Sequence, residues 1–156
     1  MSDKETTILD KLNEVNKALT EAQIDRVRKE AYYNEIKNAS PEYIPEALSN
    51  PLIQRLREDY LKLSREYAKM QEQFQPDYPE MQRLKAELDT ARDLLKNETE
   101  GLVKAAYSEY QAALKKERSL KELFERQKEE AFRLNSNAIL YNSLKIELEN
   151  KKSLLE

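Results

Sequence analysis

The residue types that most often do chemistry are missing from this chain or scattered along it. The 156 residues include no histidine and no cysteine, which excludes the commonest general base and all thiol chemistry. Neighbouring carboxylates, such as Glu129 with Glu130 and Glu98 with Glu100, are the remaining candidates for acid–base catalysis. A catalytic pair needs a pocket that perturbs its pKa values. Their reactivity therefore depends on whether the fold supplies such a pocket.

The composition predicts helices without a pocket. Charged residues make up 37% of the chain, against about 25% in ordinary domains. Glycine occurs once, at Gly101, which disfavours tight turns and phosphate-binding loops. Helix formers such as Glu, Lys, Leu and Ala dominate. We expect an all-α protein that is not an enzyme, with no catalytic residue, no cofactor-binding residue, no metal ligand and no cofactor.

Charge and hydropathy indicate a chain that binds no nucleic acid and does not itself span a membrane. The net charge is -3 and the pI is about 5.4, which disfavours polyanion binding. Short basic clusters are interleaved with acids and are interpreted as solvated helix faces; they lie at residues 26–29, 115–118 and 151–152. No stretch approaches the roughly 20 apolar residues of a membrane span, and the N-terminus lacks the apolar core of a signal peptide.

Apolar spacing predicts one helical region over residues 1–156, with helices at about 6–38, 51–75, 79–134 and 137–156. Thr6 or Thr7 is expected to cap the first helix. Its apolar residues step by three and four, as in a coiled coil, and then slip to a new track. The first track is Ile8, Leu12, Val15, Leu19 and Ala22, and the second is Ile24, Val27 and Ala31.

Residues 39–50 read as a packed connector because they combine prolines with apolar side chains. Asn50 followed by Pro51 is a strong helix start. The second helix has the cleanest heptad seam in the chain, so it requires a partner helix. That seam is Ile53, Leu56, Tyr60, Leu63, Tyr67, Met70 and Phe74.

The run QPDYP at residues 75–79 predicts a bend, with Asp77 accepting hydrogen bonds from the next helix and Pro79 in its first turn. The long helix that follows has a seam that shifts phase after Leu102. Its positions are Met81, Leu84, Leu88, Ala91, Leu95, Glu98, Leu102, Ala106, Tyr110, Ala113, Glu117, Leu120, Phe124, Gln127, Ala131 and Leu134. Residues 135–137 are either a weak break or a polar patch in a continuous helix. Another heptad track follows with Tyr141, Leu144, Leu148 and Leu155.

These elements predict an elongated antiparallel coiled-coil hairpin of long helices, bent near residues 75–79. In this layout the connector faces residues 104–116, where the long helix shifts phase, and Tyr67 lies near Leu88. A three-helix bundle, with helix one folded onto helix two, is the alternative.

The nine tyrosines are expected to pack, since they are dispersed along helices. Tyr60, Tyr67, Tyr110 and Tyr141 fall on seams. Tyr32 and Tyr33 are expected to pack on Tyr43, and Tyr107 is expected on a flank. Two matches to the glycosylation pattern, at Asn38 and Asn97, carry no weight because the pattern is short.

Three stretches resemble one protein family. PEALSNPLIQRLR (45–57), FQPDYPEMQRLKAEL (74–88) and AILYNSLKIELENKKSLL (138–155) are similar to stretches of the bacterial polysaccharide co-polymerases, or chain-length determinant proteins. The three stretches occur in the family's order and near its spacing. The family includes a class that is associated with tyrosine autokinases. Tyr78 stands where the family has histidine, and Ser153 where it has tyrosine.

The resemblance implies a fragment, because the family's α/β base, two membrane spans and any kinase motif have no counterpart here. It implies the periplasmic helical arm of a bacterial inner-membrane protein. Such an arm would self-associate into an oligomer that sets polysaccharide chain length and serves export of exopolysaccharide, capsule or O-antigen lipopolysaccharide. Its partners would be an outer-membrane exporter, a polymerase and the glycan. The alternatives are a structural adaptor hairpin of a secretion system and a cytoplasmic tethering coiled coil.

Overall fold

The computed structural model describes residues 3–155, and its secondary structure is 88% helical with no strand in that range. The helices are α1 (Asp3–Ile36), α2 (Pro51–Gln71) and α3 (Pro79–Leu155), with one 3-10 turn (Glu46–Leu48) between α1 and α2. A single antiparallel bridge joins Ser40 to Tyr43 within the connector. The prediction of an all-α fold is confirmed.

The start of α1 differs from the prediction that Thr6 or Thr7 caps it. Both threonines lie inside the helix, which includes Asp3, and the Thr7 hydroxyl donates to the Asp3 carbonyl oxygen at 2.9 Å. Asp3 and Glu5 place negative charge in the first turn, which favours the positive end of the helix dipole there. The helix ends at Ile36, two residues before the predicted boundary.

The predicted slip of the α1 seam to Ile24, Val27 and Ala31 is wrong. Ile24 and Val27 are 54% and 53% exposed, and Ala31 is also exposed. The first track instead continues in phase after Ala22 through four positions, of which only the last has an aliphatic side chain. These positions are Arg26, Lys29, Tyr33 and Ile36, all half-buried or buried.

The start of α2 is as predicted. The Asn50 side-chain oxygen accepts a hydrogen bond from the Ile53 amide at 2.8 Å, and Pro51 occupies the first helical position. Ile53 is fully buried, and the seam positions from Leu56 to Met70 are half-buried. The helix ends at Gln71, earlier than the predicted residue 75. The Gln73 and Phe74 amides both donate to the Met70 carbonyl oxygen and close the last turn.

The bend between α2 and α3 lies where the prolines predict it, with a different capping residue. The Met81 and Gln82 amides donate to the carbonyl oxygen of Tyr78, so Tyr78 and not Asp77 directly precedes the helix. The rings of Phe74 and Tyr78 stack across the bend, with centroids 4.7 Å apart and planes 8° from parallel. Pro79 is the first residue of α3, as expected.

Helix α3 runs without a break from Pro79 to Leu155, so the helices expected at 79–134 and 137–156 are one helix, and residues 135–137 are the polar patch of the second alternative. Residues 135–137 are helical and exposed, and polar side chains on an exposed face do not end a helix without Pro or Gly. Gly101 also lies within α3 and has no positive φ. Every predicted seam position from Met81 to Leu134 is buried or half-buried, which confirms the seam and its phase shift after Leu102.

The chain forms two compact units. One contains α1 up to Arg26 with α3 from Ala113 onward, and the other contains the chain from Val27 to Ala112. In the first unit α1 is antiparallel to α3, because Arg26 contacts Glu117 while Ile8 and Leu134 line one cavity.

In the second unit the connector forms a closed loop. Ile36 precedes the connector and Leu48 lies near its end, and both belong to one buried cluster with Ala106. Its middle lies beside the preceding turns of α3, where Glu42 meets Arg92. The connector therefore packs on α3 at about residues 92–106, and the predicted range of 104–116 was too far along the helix. The connector folds back so that Leu48, near its end, lies in the same cluster as Ile36, just before its start.

Candidate functional site

The carboxylate pairs that were considered for acid–base chemistry lie on the helical surface. Glu129 and Glu130 are both exposed on α3, as is Glu100, while Glu98 is half-buried at a seam position. Adjacent residues of a helix point about 100° apart and do not share a proton. Residues 3–155 contain no group of three or more acidic side chains that could hold a metal ion.

Three of the nine tyrosines contact one another near the end of α1. Tyr33 packs on Tyr107 with ring centroids 5.1 Å apart, and on Tyr110 at 6.1 Å with planes 25° apart. Aromatic pairs at these distances stabilise a helix interface beyond their buried area. Tyr43, the expected partner of Tyr33, is 62% exposed, and Tyr32 is also exposed. Tyr33 therefore packs on Tyr107, which was expected on a flank of α3, and not on Tyr43.

The connector holds its place through apolar packing on one small residue of α3. Leu48 is 2% exposed and Ile36 is fully buried, and both contact the cluster around Ala106. A small side chain at Ala106 lets two aliphatic side chains approach the α3 backbone. Partly buried apolar residues surround the cluster, namely Tyr33, Ala39, Ile44, Leu102 and Val103.

An ion pair fixes the outer edge of the connector. The Arg92 guanidinium donates from Nε and Nη2 to Glu42 Oε1, at 3.3 and 2.9 Å. This hydrogen bond is the main reason that the pKa of Glu42 lies below its usual value and that the pKa of Arg92 is raised. Arg92 therefore joins the connector to α3.

A cavity of about 160 Å³ lies between the connector and α3. Its floor includes Thr99, which is 1% exposed and whose hydroxyl has no hydrogen-bond partner within the described structure. Elsewhere on α3 the Thr90 hydroxyl donates to the Ala86 carbonyl oxygen four residues earlier. The other lining residues are Ala39, Ser40, Pro41, Glu42, Arg92, Lys96 and Glu100. The buried Thr99 also completes the Asn97 pattern, so that part of the motif is inaccessible.

Charged seam residues of α1 pair with α3 in each unit. In the first unit the Arg26 guanidinium makes two hydrogen bonds to the Glu117 carboxylate, at 2.6 and 3.2 Å. The hydrogen bond from Arg26 is the main cause of the lowered pKa of Glu117. In the second unit Lys29 Nζ lies 3.3 Å from Glu109 Oε2.

Sequence reasoning missed three of these features. Arg26 was assigned to a solvated basic cluster, and Arg92 and Thr99 were not singled out as contacts. The available signal was spacing, since Arg26 continues the α1 heptad in phase from Ala22. Arg92 and Thr99 had no signal in the sequence, because their partners depend on how the connector folds.

Comparison with known proteins found no protein family, no characterised protein and no solved structure that matches this chain. No helix within residues 3–155 has a stretch apolar and long enough to cross a membrane. The geometry thus defines an all-α protein whose organised features are helix seams, a packed connector and a bend.

Proposed function

We propose that this chain is the periplasmic helical arm of a bacterial polysaccharide co-polymerase, which is anchored in the inner membrane by other parts of the parent protein. The arm has no reaction of its own. It contributes to an oligomer that sets the chain length of an exported polysaccharide, and it contacts the exporter, the polymerase or the glycan.

The observation that carries the proposal is the coincidence between two of the three family-like stretches and the non-helical features of the second unit. In PEALSNPLIQRLR, Leu48 and Ile53 are buried, Asn50 caps α2 and Pro51 starts it. The stretch FQPDYPEMQRLKAEL contains residues 74–78 of the bend, including the stacked Phe74–Tyr78 pair. A chance likeness between coiled coils would be expected on repetitive helix faces, whereas these residues have specific structural roles.

The test is carried out on the parent protein in a strain that makes the polysaccharide. Leu48→Asp places a charge in the connector cluster, and we expect it to broaden or shift the polysaccharide length distribution seen on a gel. Glu46→Gln, on an exposed position of the same turn, is the matched control. An unchanged distribution with Leu48→Asp, in cells where the protein accumulates normally, would contradict the proposal.

A second readout needs no mutation. The coding sequence on either side of this segment should encode membrane spans and an α/β base. Lipoyl-like or barrel domains there would favour the adaptor of a secretion system, and the absence of spans would favour a cytoplasmic tether.

A further inference from the structure

The end of α3 exposes an apolar stripe that no described part of the chain covers. From Asn137 to Leu155 every side chain except the half-buried Ala138 is exposed. Tyr141 is 67% exposed, Leu144 56%, Leu148 68% and Leu155 89%. These four residues lie on one face of the helix, so they form a continuous surface and not scattered apolar residues.

The stripe continues a seam whose preceding positions, nearer the N-terminus of the same helix, are covered by α1. Within the first unit, Ala131 and Leu134 of α3 line a cavity of about 170 Å³ together with Ile8 and Leu9 of α1. From Leu134 the heptad positions step by three and four without interruption, through Asn137, Tyr141, Leu144, Leu148, Lys151 and Leu155. Most of the stability of a helix in a protein comes from packing of its amphipathic face. A seam that is continuous with a packed one therefore fits another helix.

We propose that residues 137–155 pair with the same segment of a second copy as a parallel, in-register, two-stranded coiled coil. The inference deepens the oligomeric assembly proposed above by assigning it a surface, and in that respect it rests on the proposed function. The surface itself is defined by exposure and heptad phase alone.

Charge complementarity selects both the second copy and the parallel direction. With Tyr141 and Leu148 at a, Glu147 is at g and Lys152 at e of the following heptad. In a parallel pair, g of one helix meets the following e of the other, so Glu147 faces Lys152 of the second copy twice. In an antiparallel pair g meets g and e meets e. With Leu144 opposite Leu148, Glu147 would then face its own equivalent. Lys145 would face Lys145 and Lys152 would face Ala138, so no glutamate would face a lysine.

Lys151 occupies a d position and opposes its equivalent across the axis. A charged residue at one core position lowers the stability of a coiled coil while it fixes the register. The proposed dimer is therefore weaker than a dimer with an entirely apolar seam. Lys151→Leu should tighten it.

Sedimentation equilibrium of the whole chain, from micromolar to millimolar concentration, tests for the dimer. Leu148→Asp removes a buried side chain from each copy, and at about tenfold per side chain the dissociation constant should rise by about 100-fold or more. Ile146→Asp is the matched control, because Ile146 is 59% exposed on the opposite face of the same turn. Circular dichroism checks that both variants keep their helix content. A monomer at all concentrations, or equal effects of the two variants, overturns the proposal.

Cysteine crosslinking tests whether the two helices are parallel or antiparallel. Because the sequence contains no cysteine, an introduced cysteine can react only with its counterpart in the second copy. In a parallel pair Leu144 opposes Leu144, so Leu144→Cys should form a disulfide-linked dimer on mild oxidation. In an antiparallel pair a meets d, and efficient crosslinking would require a mixture of Leu144→Cys and Leu148→Cys chains. Crosslinking only in the mixture overturns the parallel arrangement.

The two proposals fail separately. Loss of the dimer with an unchanged role in polysaccharide length removes only the assigned surface. A dimer formed by a chain whose parent protein has no effect on polysaccharide length removes the proposed function and leaves the coiled coil.

Discussion

Two parts of this molecule carry the same heptad pattern with opposite outcomes. In the second unit the seams of α2 and the start of α3 are covered, and Ile53 and Leu95 are fully buried. At the end of α3 the equivalent positions Tyr141, Leu144 and Leu148 are more than half exposed. Both regions are regular helix, and both have apolar residues at spacings of three and four.

The difference lies in what surrounds each seam. α2 has a bend that returns the chain along α3, a side-chain cap at Asn50 and a connector held by Arg92. Residues 137–155 have none of these within the described chain. A heptad thus specifies which face of a helix packs, and the turns and caps specify whether the chain itself supplies the partner.

The largest expected effect separates the covered seam from the uncovered one. Leu95→Ala, at a fully buried position, should lower the free energy of unfolding by about 2–5 kcal/mol because it leaves a cavity. Leu144→Ala, at the same kind of heptad position, should change the monomer by no more than about 0.5 kcal/mol. Urea unfolding followed by circular dichroism at low protein concentration measures both. Similar losses would mean that the end of α3 is covered within one chain.

The helix start at Asn50 is the next largest contrast. Asn50→Ala should cost about 1 kcal/mol, because the Ile53 amide loses its side-chain acceptor. Asn142→Ala, on the exposed end of α3, should be neutral or slightly stabilising because alanine is the better helix former. Thermal unfolding of the two variants measures the difference. A destabilisation by Asn142→Ala as large as that of Asn50→Ala would contradict the cap as the cause.

The covered part of α3 also contains a buried hydroxyl group without a hydrogen-bond partner in residues 3–155, that of Thr99. Thr99→Val keeps the shape of the side chain and removes a buried hydroxyl without a partner, so it should stabilise the protein by about 1 kcal/mol. Thr90→Val is the control, since its exposed hydroxyl already donates to Ala86. Equal effects in urea unfolding would show that the burial of Thr99 is not the cause.

The smallest effect depends on pH. Glu117→Gln should lower stability at neutral pH by about 0.5 kcal/mol, because the half-buried carboxylate loses its charge-assisted bonds from Arg26. The folded pKa of Glu117 is below its ordinary value of 4.5, so its contribution is complete above that value. It disappears as the pH falls through the lowered pKa. Unfolding curves of Glu117→Gln and of the unchanged chain, measured at several pH values, test this dependence.

The sequence allowed the seam positions to be predicted because apolar spacing directly reports which face is buried. From Ile53 to Met70, and from Met81 to Leu134, every assigned position is buried or half-buried. The α1 seam after Ala22 could not be found in this way. Arg26 and Lys29 occupy it as ion-pair partners of α3, and a search for apolar residues passes over charged ones.

The candidate site around the connector was only partly predictable. Proline content and the Asn50–Pro51 pair gave the limits of the connector and the start of α2. The register on α3 was wrong because it depends on a compact loop, in which a Ser40–Tyr43 bridge and the turn at Glu46–Leu48 shorten the path. The partners Glu42, Arg92 and Thr99 come together only through that loop.

The bend at residues 72–78 has a consequence for how this protein can vary. Its hydrogen bonds are local, since Tyr78 donates to Gln75 and accepts from Met81. One heptad added to α2 and one added to the facing turns of α3 would keep the seam in phase and leave bend and connector unchanged. Each such paired insertion would move the tip by about 10 Å, at 1.5 Å per residue. The reach of the α2–α3 pair is therefore a quantity that insertions and deletions can change in fixed steps.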